Sequence, residues 1–455
     1  MNLLHTLLAF ALALGVLIIV HEFGHYWVAR RCGVKVLRFS VGFGKPLWLR
    51  RFGADGTEWA IAAFPLGGYV KMLDEREGEV AEHELGRAFN RQTVWRRILI
   101  VAAGPVANLL LAILLYWFLF MVGMPGVKPL LGDPVKGSPA AVAGFEYGEL
   151  VTSLDGEPVT VWADVRWALL KKAMEHQTVR FETLSAKNDI RQHVLETASL
   201  SSDDFDGDFL EKLGLTHYRP ILPPVIGKLL PDGAGAKAGL QEMDEILALD
   251  GKNISRWEDL VTAIRANPQR ELRFSVKRGS ARIEISLKPD EAMEQGKAVG
   301  KIGAGPFVDE AIGERLMAEV RYGPVRAMQE AAWKTWDMSW FSLKTMGKMI
   351  IGEVSPKNIS GPITIADYAG QSAHIGWVAY LMFLALVSIS LGVLNLLPVP
   401  LLDGGHLMYY MAEIVKGSPV SDRVMEIGQQ IGMTLLLALM MFAFYNDINR
   451  LLTGS

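Results

Sequence analysis

The chain has 455 residues, of which 50% are hydrophobic and 21% are charged, and its mean hydropathy is +0.22. This composition is too apolar for an ordinary soluble domain and too charged for a protein made only of membrane spans, so it predicts spanning helices combined with soluble modules. A formal net charge of −3 argues against a nucleic-acid partner, and the single cysteine excludes a disulfide scaffold.

Four segments are apolar enough to cross a lipid bilayer, which takes about 20 residues in a helix. The first begins at Leu3 and is assigned to residues 1–29. A cleaved signal peptide is the alternative for this segment, but no basic stretch precedes it and no small-residue cleavage site follows it. The other spans are predicted over residues 98–122, 376–403 and 431–447, with a loop at residues 404–430.

Basic residues beside the spans predict their orientation. Arg30 and Arg31 follow the first span, and Arg96 and Arg97 precede the second. Because Lys and Arg are enriched on the cytoplasmic side, the loop of residues 30–97 is predicted to lie in the cytoplasm. The polar region between the second and third spans is then predicted to lie on the outer side. The single cysteine falls within the cytoplasmic loop, as expected for a compartment that keeps thiols reduced.

An internal repeat occupies most of this outer region. Each copy has an Ala-Gly pair, a strand, a Leu-Asp-Gly turn and a helix. The pattern resembles tandem PDZ domains, which bind extended peptides by adding a strand to a sheet edge, and it predicts one such domain at residues 127–220 and another at 221–307. Phe145 and Glu149 depart from the usual PDZ motif in the first copy. The matching residues, each 95 positions apart, are Ala143-Gly144 with Ala238-Gly239 and Leu154-Asp155-Gly156 with Leu249-Asp250-Gly251.

Residues 308–375 contain an amphipathic segment. Trp333, Trp336 and Trp340 recur in it at near-helical spacing, with lysines between them. One interpretation is a helix of the soluble core. The other is a helix that lies on the outer membrane surface, which tryptophan favours.

The motif that carries chemistry is His21-Glu22-Phe23-Gly24-His25, at the end of the first span. Positions i and i+4 of a helix share one face, so both imidazoles can bind one Zn²⁺ and leave a position open for water. Glu22 lies beside them and can act as general base on that water. Ionisable residues inside a span are a functional hypothesis by default. The alternative is a helix that ends at Val20, with the motif among the lipid headgroups.

Two histidines leave zinc one protein ligand short, and the third span offers a candidate. Asp403 lies at the inward end of that span, at the same expected depth as the two histidines. Pro398 and Pro400 break the helix before it, which a membrane tolerates only where protein or a water-filled cavity satisfies the freed backbone groups. His406 is a rival third ligand, and an ordinary turn role for Asp403 before two glycines is a further alternative.

Taken together, these motifs resemble the site-2 protease family of intramembrane zinc metalloproteases. The HExxH motif in the first span, the sequence NLLPVPLLDGGH at Asn395–His406 and the PDZ-like repeats between them carry the resemblance. Further likeness lies in residues 41–44, 64–70 and 102–108, so that it covers nearly the whole chain.

The resemblance implies a fold and a set of functional residues. The fold is a polytopic α-helical membrane protein with four transmembrane helices, a membrane-associated β-loop and two extracytoplasmic α+β PDZ domains. His21, His25 and Asp403 are implied as zinc ligands, Glu22 as general base, and Asn395 as a residue that holds substrate backbone. The implied location is the bacterial inner membrane, with periplasmic PDZ domains and an active site near the cytoplasmic side.

The sequence therefore predicts a zinc endopeptidase that cleaves transmembrane segments. The family's substrates are single-span proteins already trimmed on the outer side, typically an anti-sigma factor, and remnant signal peptides. One alternative is a membrane-anchored HExxH quality-control peptidase, which usually needs a Glu as third ligand. Another is a non-catalytic PDZ scaffold in the membrane, against which the intact Glu22 argues.

Overall fold

The structure is a computed structural model. This structure describes residues 3–453 except 175–176, 199, 201–203, 205–207, 295–296, 310–312, 314 and 355–360. The chain divides into two compact units. The membrane unit contains the residues up to Met124 and those from Glu319 onward, and the repeat unit contains Pro125–Leu200 and Asp208–Ala318.

Helices of very different length make up much of both units. A 3-10 helix at Glu82–Arg87 precedes the second α-helix of the chain. In chain order the helices are α1 (Leu3–Arg31), α2 (Val94–Val122), α3 (Pro139–Val142), α4 (Trp162–Ala173), α5 (Phe209–Leu213), α6 (Ala234–Lys237), α7 (Trp257–Arg265), α8 (Pro324–Ile350), α9 (Pro362–Ile375), α10 (Trp377–Leu396), α11 (Asp403–Lys416) and α12 (Asp422–Thr453).

The strands form small antiparallel sheets. In chain order they are β1 (Val36–Phe52), β2 (Thr57–Met72), β3 (Met124–Val127), β4 (Leu150–Leu154), β5 (Glu157–Pro158), β6 (Val179–Leu184), β7 (Ile190–Leu195), β8 (Ile226–Leu229), β9 (Glu245–Leu249), β10 (Lys252–Asn253), β11 (Leu272–Arg278), β12 (Ala281–Leu287), β13 (Asp290–Glu294), β14 (Lys297–Lys301), β15 (Ala304–Pro306) and β16 (Met317–Val320). Two-stranded sheets pair β1 with β2, β13 with β14, β15 with β8, and β16 with β3.

Within the described part of the chain, four helices are long and apolar enough to cross a membrane. They are α1, α2, α10 and the Arg423–Asn449 part of α12. Ala13 and Leu17 on α1 pack in a buried apolar cluster with Leu384 on α10. Polar groups also join the spans: the Tyr380 hydroxyl donates to the Ala9 carbonyl at 2.7 Å, and the Ser388 hydroxyl donates to the Asn108 carbonyl at 2.7 Å.

The structure corrects the region after the third span. Its helix ends at Leu396, because Pro398 removes a backbone donor and clashes with a continuing helix. The predicted loop at residues 404–430 is wrong, since α11 occupies its first half. That helix ends at Gly417, whose left-handed backbone (φ 77°) suits a glycine C-cap. The following helix then begins at Asp422, ahead of the predicted apolar stretch.

The long strands β1 and β2 fold into four adjacent segments. Phe39 pairs with both Trp59 and Val70, and Val41 pairs with both Ile61 and Gly68. The segment of residues 36–41 therefore lies between residues 57–61 and residues 68–72, which form an outer edge. Aromatic packing holds this hairpin to α1. The ring centroids of Phe39 and Trp59 are 4.5 Å apart, and those of Tyr26 and Trp59 are 5.2 Å apart.

The sequence repeat corresponds to a structural repeat in the second unit. One four-stranded sheet has the order β5-β4-β6-β7 and the other the order β10-β9-β11-β12. Asp155 and Asp250 occupy equivalent turns, each with a φ of 48°. Each aspartate accepts a backbone hydrogen bond from the neighbouring strand, from Arg180 at 3.0 Å and from Arg273 at 2.9 Å. The two copies thus use the same local chemistry to turn the chain.

Candidate metal centre

The HExxH residues lie inside α1 rather than beyond its end. Helix α1 continues to Arg31, so the alternative in which the helix ends at Val20 is wrong. Glu22 is 9% exposed and His25 is 8% exposed. Both buried side chains face protein, and the i, i+4 spacing places the His21 imidazole on the same face as that of His25.

Three potential ligand atoms converge at this point. His21 Nε2 lies 3.2 Å from His25 Nε2 and 3.1 Å from Asp403 Oδ2, and His25 Nε2 lies 3.5 Å from the same carboxylate oxygen. Within the described ranges this is the one group of three such side chains close enough to hold a metal ion. The structure therefore brings together Asp403 and the two histidines, and His406 is not part of the group.

The backbone of α2 orients one of the imidazoles. His25 Nδ1 lies 2.8 Å from the carbonyl oxygen of Ile100. A carbonyl only accepts hydrogen bonds, so Nδ1 carries the proton and the neutral ring presents the lone pair of Nε2. This is the tautomer that a metal site requires, and the outer hydrogen bond fixes the direction of the ring.

An asparagine on α2 orients the other imidazole. Asn108 is 1% exposed, its Nδ2 lies 3.3 Å from His21 Nδ1, and its Oδ1 has no hydrogen-bond partner among the described residues. Amide oxygen and nitrogen are assigned from the hydrogen-bond network. A half turn of the amide lets Oδ1 accept the Nδ1 proton of His21, which satisfies the oxygen and frees the Nε2 lone pair for a metal.

Glycines allow the helices to approach closely enough for these contacts. A Cβ added at Gly104 would lie 2.3 Å from His25 Nε2, and one at Gly24 would lie 2.3 Å from the carbonyl oxygen of Ala103. Both distances are far below van der Waals contact. Any larger residue at Gly104 would therefore occupy the space in which the ligand atoms meet.

The β-hairpin covers the general-base candidate. A Cβ added at Gly68 would lie 2.8 Å from Cγ of Glu22 and 2.9 Å from the carbonyl oxygen of Ser40. The edge segment of residues 68–72 consequently starts beside Glu22. A glycine here lets a strand edge reach the motif without displacing its carboxylate.

Asp403 is positioned by a compact loop between α10 and α11. Leu401 has a φ of 87°, which is strained for a residue with a branched side chain. Added Cβ atoms at Gly404 and Gly405 would lie 2.1 Å from the Leu397 carbonyl oxygen and 2.5 Å from that of Val399. The two glycines thus let the loop fold tightly over the first turn of α11. Asp403 begins that helix, where the positive end of the helix dipole favours its carboxylate.

The remaining predicted residues are not part of this group. Asn395 is half-buried in the last turn of α10. His406 lies on α11, with its ring centroid 6.4 Å from that of Tyr409. Sequence reasoning missed the roles of Asn108 and Ile100. A polar residue in an apolar span was the available signal for Asn108, whereas a backbone carbonyl leaves no signal in the sequence.

The arrangement fits a zinc ion. Zinc takes histidine nitrogens and carboxylate oxygens at about 2.0–2.2 Å in a tetrahedron, which places neighbouring ligand atoms about 3.3–3.6 Å apart. The three observed separations of 3.1, 3.2 and 3.5 Å match one face of such a tetrahedron. Three protein ligands leave the fourth corner for water or substrate, which is the pattern of catalytic zinc sites.

Comparisons with known proteins give the family and the relatives of this chain. The model of peptidase family M50 matches residues 9–439. The regulator of sigma-E protease RseP of Salmonella typhimurium is 43% identical over 451 residues, covering 99% of this chain and 100% of that protein. A Vibrio cholerae protein described as a zinc metalloprotease is 39% identical over 454 residues, with coverages of 99% and 100%. The solved PDZ domain of an SdrC-like protein from Listeria innocua covers 19% of this chain, at 19% identity and a TM-score of 0.17.

Proposed function

This chain belongs to peptidase family M50, the site-2 proteases, as an intramembrane zinc metalloprotease, and we propose that His21, His25 and Asp403 hold its zinc ion. The observation that carries this proposal is the convergence of their three ligand atoms within 3.5 Å of one another. The third ligand of a membrane-anchored quality-control peptidase would usually be a glutamate, and the carboxylate in this group belongs to an aspartate.

The other residues of the site divide the catalytic work. Bound zinc supplies a Lewis acid that polarises the scissile carbonyl and makes water more acidic. Glu22 accepts the proton of the attacking water and delivers it to the leaving amine. Ile100 and Asn108 keep both imidazoles in the tautomer that presents Nε2. Because these groups are fixed by α1 and α2, little reorganisation is needed when substrate arrives.

The substrate must offer an extended backbone to this site. A transmembrane helix hides its peptide groups in internal hydrogen bonds, so it has to unwind locally before water can attack. The edge segment at residues 68–72 starts beside Glu22 and can pair with one strand of unwound substrate. Asn395 lies eight residues before Asp403 in the sequence and is assigned a second contact with substrate backbone.

We assign single-span membrane proteins as the substrates. The relatives named regulator of sigma-E protease favour an anti-sigma factor as one of them, in an envelope stress response, together with remnant signal peptides. The relatives and the four apolar helices also favour the inner membrane. Arg30 and Arg31 at the end of α1 support a position of the metal centre near the cytoplasmic side.

The repeat unit is proposed to consist of two periplasmic PDZ domains, at residues 127–220 and 221–307. They would act as a size filter that excludes substrates whose outer domains remain bulky. The equivalent Asp-Gly turns and strand orders of the two sheets support this division. The β-hairpin at Val36–Met72 is proposed to be membrane-associated, since its exposed side chains include Leu47, Trp48 and Phe64.

A Glu22→Gln variant tests the function directly. Amide replaces carboxylate at the same size, so the zinc ligands stay while the base is lost. We expect retained zinc and a fall of about 10²–10⁴ in the cleavage rate of a reporter with a transmembrane helix. Glu82→Gln, on the exposed 3-10 helix, is the matched control and should cleave normally. Wild-type cleavage by Glu22→Gln would overturn the assigned mechanism.

A further inference from the structure

A large cavity adjoins the metal centre within the membrane unit. Its volume is about 920 Å³, at the upper end of the range for pockets that bind a small ligand. The lining comes from the edge of β2, from α2, from α11 and from the start of α12. The lining residues include Tyr69, Lys71, Val101, His406, Glu413 and Glu426.

Three elements connect this cavity to the catalytic residues. Tyr69 follows Gly68, which lies against Glu22. Val101 follows Ile100, whose carbonyl oxygen contacts His25. His406 lies about one helical turn beyond Asp403 on α11. A polypeptide that pairs with the edge segment of β2 therefore continues along the cavity wall, with Tyr69 to Met72 beside it.

The cavity is lined by more carboxylates than cations. Every cation on the lining forms an ion pair with a lining carboxylate. The pairs are Arg76 with Asp74 at 2.6 Å, Lys71 with Glu77 at 3.6 Å and Arg97 with Glu413 at 2.6 Å. Glu426 is exposed and pairs with no cation among the described residues. Glu426, the lining carboxylate without an ion pair among the described residues, lies on α12.

The membrane topology identifies the ligand that meets these conditions. Helix α1 ends in Arg30 and Arg31, which support the proposed cytoplasmic position of the metal centre, and single-span proteins likewise carry Lys and Arg where they leave the bilayer on the cytoplasmic side. We propose that the cavity binds the polar segment by which the substrate's transmembrane helix continues on the cytoplasmic side, with a preference for Lys or Arg opposite Glu426. This inference rests on the proposed protease function and adds a specificity subsite to it.

A charge exchange between enzyme and substrate tests the subsite. Two reporters share one transmembrane segment and differ only in the two residues at its cytoplasmic end, which are Lys-Lys in one and Glu-Glu in the other. Exposed ion pairs contribute about 0.2–1 kcal/mol each. Glu426→Lys should therefore weaken binding of the Lys-Lys reporter about two- to fivefold and strengthen binding of the Glu-Glu reporter by a similar factor. Glu82→Lys, the matched exposed control, should change neither.

Binding and cleavage separate the failure of this subsite from failure of the function. Binding is measured with Glu22→Gln as the background, in membranes, so that no reporter is consumed. Cleavage is measured with the wild-type protein. If wild type cleaves either reporter while Glu426→Lys binds both as its parent does, the protease stands and the subsite is refuted. An equal change for both reporters would also refute it, because a lipid headgroup or a general distortion would act without regard to substrate charge.

Discussion

The buried acids of the repeat unit and the metal centre of the membrane unit arrange charge in opposite ways. In the repeat unit each buried acid is met by a base. Glu149, 1% exposed, contacts Arg191 and His193, each at 3.0 Å, and Asp244, 0% exposed, contacts Arg278 at 2.8 Å. In the membrane unit, the Nε2 atoms of two imidazoles and one carboxylate oxygen converge on a single point.

This difference distinguishes charged groups that stabilise the fold from charged groups that bind a metal ion. A buried ion pair satisfies itself, so it needs no further partner. Convergent lone pairs repel one another unless a cation lies between them, and the strict positioning of the metal centre by glycines and by Ile100 has no use in folding alone. Changes at the metal centre should therefore affect zinc and catalysis, whereas changes at the paired acids should affect stability.

The largest expected effect comes from filling the space beside the histidines. A Gly104→Ala methyl group would lie 2.3 Å from His25 Nε2 and would displace the ring. A misplacement of about 1 Å can cost about 10²-fold in rate, so we expect at least that loss in reporter cleavage, together with weaker zinc binding. Gly15→Ala on α1, where nothing lies within 4 Å, is the control. Normal zinc content and activity in Gly104→Ala would show that the ligand geometry described here is wrong.

Asn108 gives a finer test of the same centre. Asn108→Ala removes the acceptor for His21 Nδ1, and loss of such outer contacts typically costs about 10–100-fold in metal affinity or activity. Asn108→Asp keeps an acceptor oxygen and should retain most of the zinc affinity, measured by competition with a chelator. If alanine and aspartate lower the affinity equally, the asparagine has a packing role and does not set the tautomer.

Deletion of residues 134–289 tests whether the repeat unit is needed for peptide-bond cleavage or only for discrimination between substrates. The metal ligands all lie in the membrane unit, so cleavage of a reporter without an outer domain should persist. A substrate that keeps a large outer domain should become cleavable, because the proposed filter is gone. Comparison of both substrates with both enzymes in membranes checks this. Equal loss on the two substrates would mean that the repeats only stabilise the fold.

The smallest effect is expected at a paired acid of the repeat unit. Asp244→Asn leaves Arg278 without its charge partner and should lower the free energy of unfolding of this unit by about 1–3 kcal/mol. Glu245→Gln removes the exposed pair with Lys277 and should cost no more than about 1 kcal/mol. Thermal unfolding of the purified protein compares the two, and zinc content should be unchanged in both. A loss of zinc in Asp244→Asn would show that metal binding also depends on this ion pair of the repeat unit.

The pH dependence of this pair has a defined sign. Burial would raise the pKa of the Asp244 carboxyl, but hydrogen bonds from Arg278 and from the Gln241 backbone N–H, together with the charge of Arg278, outweigh it and hold that pKa below its usual value. A lowered pKa in the folded state means that the pair stabilises the repeat unit above the usual aspartate pKa. The contribution is lost as the pH falls through the lowered value. Asp244→Asn should remove this acid-dependent part of the unfolding curve, and an unchanged curve would exclude it.

The sequence predicted the chemistry of the centre better than its support. His21, His25 and Asp403 were found because ligand types at helical spacing and a polar residue in an apolar span are unusual. The resemblance to the site-2 proteases is confirmed by the family match. The approach of Gly68 to Glu22 could not be predicted, because it depends on irregular register between β1 and β2. Helix α11 was not predicted, because its mixed polar and apolar sequence lacks the long apolar run that marks a span.

The choice of third ligand is the central claim, and zinc content measures it most directly. Zinc per chain should be determined on the purified wild type, Asp403→Ala and His406→Ala proteins by elemental analysis. We expect about one zinc per chain in the wild type and in His406→Ala, and a large loss in Asp403→Ala, because two histidines alone give zinc too few protein ligands. Undiminished zinc in Asp403→Ala, with loss in His406→Ala, would instead make His406 the third ligand.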